Sequence, residues 1–214
     1  LYLSQGGLSL PSRDYYFADN FEKQRAAFVE HVAKMLILAG ASAEDAAAGA
    51  QAVFAVEKAL ASHAKTPVEL RDTLANYNKM RAAELVANMP AFPLDVYLAA
   101  RGLNTPAAQE IIVRQPAFFA GLNDQMAALP LDAWKVYLRY HVLASAASSL
   151  AAPFEQEAFR FYSTVLRGTP QMEPRWQRAA KSTDALLGEA LGQLYVERYY
   201  PPEARARLDE MIRN

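Results

Sequence analysis

The chain has 214 residues, of which 52% are hydrophobic and 21% charged, with a net charge of −1. Such a composition suits a folded region with a sizeable core and excludes an intrinsically disordered segment. The balanced charge lacks the basic footprint of a nucleic-acid binder, and the absence of cysteine excludes disulfides and thiolate metal sites.

The first residue is Leu1, and LYLSQGG is neither a basic leader nor a signal core, so the chain reads as an excised or processed fragment. Gly6 to Phe17 are expected to form a structured loop. Glycines and Pro11 argue against a helix there, while Tyr15, Tyr16 and Phe17 offer a large apolar payload with two hydroxyls that need partners. Arg13 and Asp14 are the expected pins. From Asp19 or Asn20, Phe21, Phe28, Val32, Met35 and Leu36 trace a helix face that stops at Gly40. Ser42 caps the next helix, with Glu44 and Asp45 at its positive end and Val53, Phe54, Val56 and Leu60 on its core face. Thr66-Pro67-Val68-Glu69 matches a capping box.

Short helices follow near Arg81 to Ala87 and over Leu94 to Arg101. Glu110 to Val113 is the one β-like run, expected to be too short and solitary for a sheet. Pro116 opens a helix through Phe118, Phe119, Leu122 and Met126. Leu131, Trp134, Leu138, His141 and Val142 carry another, and Phe154 to Leu166 one more. The longest pattern runs from Arg175. Trp176, Ala180, Thr183, Leu187, Ala190, Leu191 and Leu194 form one stripe of a helix that reaches Tyr199-Tyr200 and breaks at Pro201-Pro202. Gly188 and Gly192 lie on one flank of it and call for a close-packed neighbour, since each costs about 1 kcal/mol against Ala. A further helix starts at Pro202 and meets Asn214 with no evident cap. Arg205 and Arg207 on it read as a solvated face.

The sum is an all-α lobe of roughly eight to ten helices with at most one or two short isolated strands, a single helical region over 1–214 truncated at both ends. No apolar run approaches the ~20 residues of a membrane-spanning helix, so no membrane contact is expected from this segment. The spacing of His31, His63 and His141 excludes HExxH and HxxEH. His141 reads as a satisfied boundary histidine, His63 as a cation suited to a helix end, and Glu155 and Glu157 as solvated. GxGxxG, Walker and GxSxG patterns are absent. The residues supply no catalytic, cofactor-binding or metal site. A small-ligand pocket among Tyr15, Tyr16 and Tyr199-Tyr200 has only aromatic content behind it.

Two stretches carry a family resemblance. Gly7-Leu8-Ser9-Leu10-Pro11-Ser12-Arg13-Asp14-Tyr15-Tyr16 is similar to the GLGLPSRDYY segment of neprilysin-type zinc metallopeptidases, a family that includes endothelin-converting enzymes and bacterial oligopeptidases. Arg175-Trp176-Gln177-Arg178, followed by Gly188-Glu189-Ala190-Leu191-Gly192-Gln193-Leu194-Tyr195-Val196, resembles that family's RWxR…GxALGxLYV segment. Between them Glu69-Leu70-Arg71-Asp72 with Tyr77-Asn78-Lys79-Met80, and Pro90-Ala91-Phe92 leading to Tyr97-Leu98, fall in the family's order. Ser9 replaces a usual glycine, Val96 stands where tryptophan is common, and Ala179 stands where vertebrate members carry a cysteine, as in the cysteine-free bacterial branch.

The resemblance implies the substrate-enclosing helical portion of a metalloendopeptidase that hydrolyses short peptides. It also implies zinc in the parent enzyme and none in this segment, because the family's HExxH helix and further glutamate ligand lie downstream of the RWxR segment. The implied partners are the catalytic lobe of the same polypeptide and short peptide substrates, in an exported, periplasmic or cell-envelope setting. The isolated chain is expected to be inactive. The alternative is a stand-alone helical module that binds proteins or peptides without catalysis.

Overall fold

The computed structural model describes residues 1–105 and 109–213. The chain falls into two compact units, Leu1–Thr169 and Pro170–Asn214. In chain order the first holds β1 (Tyr2–Leu3), α1 (Asp14–Phe17), α2 (Glu22–Leu38), α3 (Ala43–His63), β2 (Lys79–Arg81), α4 (Ala82–Asn88) and α5 (Leu94–Ala100). It continues with β3 (Glu110–Val113), α6 (Pro116–Ala128), α7 (Leu131–Ala146) and α8 (Ala152–Ala158), the last running on as a π-helical segment, Phe159–Val165.

The main core forms where the apolar stripes of three long helices meet. Phe28, Val32 and Met35 of α2, Val53, Val56 and Leu60 of α3, and Trp134, Tyr137 and Tyr140 of α7 are buried together with Phe161. Full burial of side chains of this size contributes about 1.5–3 kcal/mol each. α3 begins as its sequence requires, with Ser42 Oγ accepting from the Asp45 amide at 3.1 Å. The Thr66 capping box is also made: the Thr66 amide and hydroxyl donate to Glu69 at 2.8 and 2.7 Å, but the box opens only a 3-10 turn, Glu69–Arg71.

Four expectations are corrected. The loop from Gly6 is not free of helix, since Asp14–Phe17 make one turn, and its pin is Arg25 of α2, which donates to the carbonyls of Tyr15 at 3.0 Å and Ala18 at 2.6 Å. Arg13 instead lies 5.9 Å from the centre of the Phe17 ring. On α7 the buried face is Trp134, Tyr137 and Tyr140, while Leu131, Leu138 and Val142 stay more than half exposed. Three aromatic rings at steps of three bury more surface than the aliphatic stripe, so they take the core.

The third correction is that Glu110–Val113 is not solitary. It is the centre of a three-stranded sheet, with β1 parallel (Tyr2↔Ile112, Leu3↔Val113) and β2 antiparallel (Lys79↔Ile112, Arg81↔Glu110). Alternation puts Ile111 and Val113 on one face, where they join Leu85 of α4, Met89 just past its end, and Leu94 and Leu98 of α5 in a second core. Phe119 and Leu122 of α6 pack against both cores.

The second unit contains α9 (Arg175–Tyr199) and α10 (Pro202–Arg213), with the break where the proline pair requires it. Asn214, where the sequence leaves α10 uncapped, lies outside the described residues. The fourth correction concerns burial. The α9 stripe reads as a core face, yet neither helix has a buried residue, and Trp176, Leu187, Leu191 and Leu194 are 69, 56, 40 and 63% exposed. A side chain added at Gly192 would meet nothing within 4 Å, and one at Gly188 only Asp184 Oδ1 at 3.6 Å. Within the second unit the described residues do not supply the close neighbour that these glycines call for.

Candidate functional site

The most developed polar centre lies where the loop from Gly6 meets α3. Glu57 falls at the same helical stripe as Val53 and Leu60, so its carboxylate is carried into the core, fully buried. Its oxygens accept from the Ser9 amide at 2.9 Å, the Ser9 hydroxyl at 2.7 Å, the Tyr16 hydroxyl, and His141 Nε2 on α7 at 3.0 Å. The Tyr16 oxygen in turn accepts from the Leu10 amide at 3.1 Å. Burial, and next the Glu57 charge, push the Tyr16 phenol well above its ordinary range, so it stays a donor throughout the neutral range.

The loop is fixed at its start as well. Tyr137 donates to the Gly7 carbonyl at 2.9 Å, and Gly7, at φ +77, leaves no room for a Cβ, which would stand 2.3 Å from that hydroxyl. The Gly7-to-Tyr16 motif is therefore a clasp. The Ser9 and Tyr16 hydroxyls and the Ser9 and Leu10 amides are spent on Glu57 and on each other.

A second centre joins α2 to α8. His31 is fully buried, its ring stacked on Phe161 at 4.6 Å, and its Nδ1 lies 2.9 Å from Glu157 Oε1. Arg160 grips the same carboxylate with two donors, at 2.8 and 2.7 Å. Glu157 is thus a buried, paired group, against the expectation of a solvated one. Burial pushes its carboxyl up, but the hydrogen bonds from His31 and Arg160 and the guanidinium charge outweigh this and bring it down to about 2. Burial holds the His31 imidazole below its ordinary range, which keeps the ring neutral with Nδ1–H donating to Glu157. His31 Nε2 then has no hydrogen-bond partner among the described residues.

The third histidine caps a close approach. His63, in the last turn of α3, lies across Gly121 of α6, where an added Cβ would come 2.2 Å from its Cγ, and its Nε2 is 3.4 Å from Gln125 Nε2.

Zinc does not fit these residues. His31 shares its carboxylate with a guanidinium, His141 shares Glu57 with three other donors, and His63 faces an amide. Among the described residues no group of three His, Asp or Glu side chains could hold a metal ion. A Tyr15–Tyr16 ligand pocket fares no better, because Tyr16 is buried on Glu57 and the Tyr15 ring stacks on Phe21 at 3.9 Å.

Sequence reasoning missed Glu57, His31 and Glu157. The signal was present in each case: a charged or polar residue on an apolar stripe, between Val53 and Leu60, between Phe28 and Met35, and between Phe154 and Phe161.

The fold and these centres define a helical lobe held together by buried carboxylate clusters, with a small mixed sheet at one side of its first unit. Comparison with known proteins gives it a family. The model described as "Peptidase family M13", for the N-terminal part of that family, matches residues 1–214, and the chain belongs to this family. Neprilysin-3 of Drosophila melanogaster is 26% identical over 221 residues, covering 98% of this chain and 28% of that protein. The neutral endopeptidase of Lactobacillus helveticus is 24% identical, covering 96% of this chain and 31% of its own length. Among solved structures, the open state of the zinc metalloprotease ZMP1 of Mycobacterium tuberculosis superposes with a TM-score of 0.90 at 30% identity, over 99% of this chain and 33% of that one. The chain thus spans about a third of the length of these relatives.

Proposed function

We propose that this chain is the substrate-enclosing helical portion of a zinc-dependent metalloendopeptidase that hydrolyses short peptides, and that it contributes no catalytic or metal-binding residue. One observation carries the reading: the chain matches peptidase family M13 over its whole length while covering about a third of each relative. The polar centres support it, since each is used to fasten helices. The partner of the bare α9 stripe is then the catalytic lobe of the same polypeptide, and that lobe supplies the zinc ligands. An exported, periplasmic or cell-envelope location belongs to the same proposal; among the described residues no helix is long and apolar enough to cross a membrane.

The test compares the full-length gene product with residues 1–214. The full-length protein should carry stoichiometric zinc and cleave a quenched fluorescent peptide in a chelator-sensitive way, with an HExxH sequence encoded beyond residue 214. The 1–214 chain should hold no zinc and show no cleavage. Zinc or chelator-sensitive cleavage in the 1–214 chain, or a full-length protein without either, would overturn the proposal. A protein that binds peptides without zinc would instead be the stand-alone module.

A further inference from the structure

We propose that the His31–Glu157–Arg160 cluster is an acid-released latch that holds α8 and the π-helical segment on α2. The latch lies at the end of the first unit, where Ala152–Val165 runs as a short α-helix that widens into a π-helix. π-helical turns are rare and concentrate where a protein keeps a functional irregularity. This one is fastened to α2 by two kinds of contact: the ring of Phe161 against Phe28 at 5.7 Å and His31 at 4.6 Å, and the ion-paired Glu157 against His31 Nδ1 at 2.9 Å.

The chemistry of His31 makes the fastening conditional. The imidazole is fully buried, and in its neutral form one nitrogen donates to Glu157 while the other faces no partner among the described residues. A proton on that second nitrogen creates a buried N–H without an acceptor and a cation in a place closed to water. The Glu157 carboxylate offsets part of that cost, but burial outweighs it and the neighbouring cations add to it. From the π-helical segment, Arg160 already neutralises Glu157 with two hydrogen bonds and would stand beside the new charge. From α2 itself, Lys34 adds a second cation, paired with Glu30 at 2.5 Å. From α7 and the π-helical segment, the edges of Tyr140 and Tyr162 close over the ring at 6.0 and 5.4 Å, and their hydroxyls are 3.0 Å from each other. From α3, the buried carboxylate is Glu57, which is occupied by Ser9, Tyr16 and His141.

Protonation is therefore disfavoured while the latch is closed and favoured once it opens, so acid shifts the balance towards the open form. Once the latch opens, water can reach the ring. A cleft of about 360 Å³ lined by Lys34, Ile37, Leu38, Gln156, Glu157 and Arg160 borders the pair from outside. Release would free Ala152–Val165 from α2 without disturbing the Glu57 clasp, whose histidine is a different one.

Hydrogen exchange of the whole 1–214 chain, read peptide by peptide at pH 7, 6 and 5 and corrected for the intrinsic rate, tests the latch. Protection over residues 152–166 should fall by up to about tenfold per pH unit below the free-imidazole range, while residues 43–63 keep theirs. His31→Gln should make the 152–166 profile flat between pH 7 and 5, and His141→Gln should leave the fall in place. The proposal is overturned by unchanged protection at pH 5, by a fall that survives His31→Gln, or by parallel loss over 43–63. Should His31→Gln fail to fold, an NMR titration of the His31 ring in the wild-type chain decides. Opening of 152–166 while that ring stays neutral would also overturn the latch.

Discussion

Tyr16→Phe is the sharpest probe of the clasp, because it removes one oxygen and leaves the packed ring. Two bonds go with that oxygen. The first is the bond to the Glu57 carboxylate, and hydrogen bonds to charged groups contribute about 1.5–3 kcal/mol. The second is the 3.1 Å bond from the Leu10 amide, which is left without that acceptor in a buried loop, at a further cost of about 1–3 kcal/mol. Glu57 keeps Ser9 and His141, so part of the first loss is recovered, and about 3 kcal/mol is the expected total. For a chain of this size that is a fall in melting temperature of about 6–12 °C. Urea unfolding followed by circular dichroism measures it, with Tyr15→Phe as the control. Tyr15 is held by ring stacking at 3.9 Å, and its hydroxyl should contribute less than about 0.5 kcal/mol. A double-mutant cycle of Tyr16→Phe with Glu57→Gln should show coupling above about 0.5 kcal/mol. If Tyr16→Phe behaves like Tyr15→Phe, the motif is not a clasp and the account of Glu57 is wrong.

Three other expectations follow from the same structure. Gly121→Ala should destabilise the chain by about 1–3 kcal/mol through collision with the His63 ring, whereas Gly192→Ala, in open space on α9, should raise stability by about 0.5–1 kcal/mol; thermal melts separate the two signs. Glu157 has a folded pKa of about 2 against an ordinary 4.5, so its contribution is complete above about pH 4.5 and is lost as pH falls through about 2. Allowing for the solvent that reaches Arg160, this is about 2 kcal/mol, and Glu157→Gln should remove that part of the acid sensitivity in urea titrations at pH 5 and 3. Leu187→Glu and Leu191→Glu should each change the stability of 1–214 by less than about 0.5 kcal/mol, since both side chains are exposed; on the proposed function they should also lower peptide cleavage by the full-length protein about tenfold or more.

The long helices were legible because their signals are redundant. α9 is bounded by a stripe of seven positions and a proline pair, and α3 by a serine cap followed by two acids. The sheet was not legible. β1 and β2 contribute two and three residues, too few for a period of two to emerge, and their pairing depends on partners far away in sequence. On α7 the error came from counting aliphatic side chains as core and passing over Tyr137 and Tyr140, which win the interior by size. The buried clusters were hidden by residue type. Glu57 and Glu157 look solvated in a composition table, and only their phase on the helix says otherwise. Burial on α9 was misjudged for a further reason: a stripe shows that a face is apolar, not which surface will cover it.

The way the first residues are stitched in has a consequence for biosynthesis. The carbonyls of Leu1 and Leu3 accept from the Ile112 and Arg114 amides, and the Gln5 amide donates to Gln115 Oε1 at 2.8 Å, across 110 residues of chain. At ~5–20 residues per second, a ribosome needs about 5–20 s to make the partner after the first strand emerges. During that interval α2 and α3 can form locally, but β1 has no strand to pair with. β1 is thus made before the rest of the first unit but is among the last of its elements to be placed, and the second core closes only when residue 113 is free of the exit tunnel.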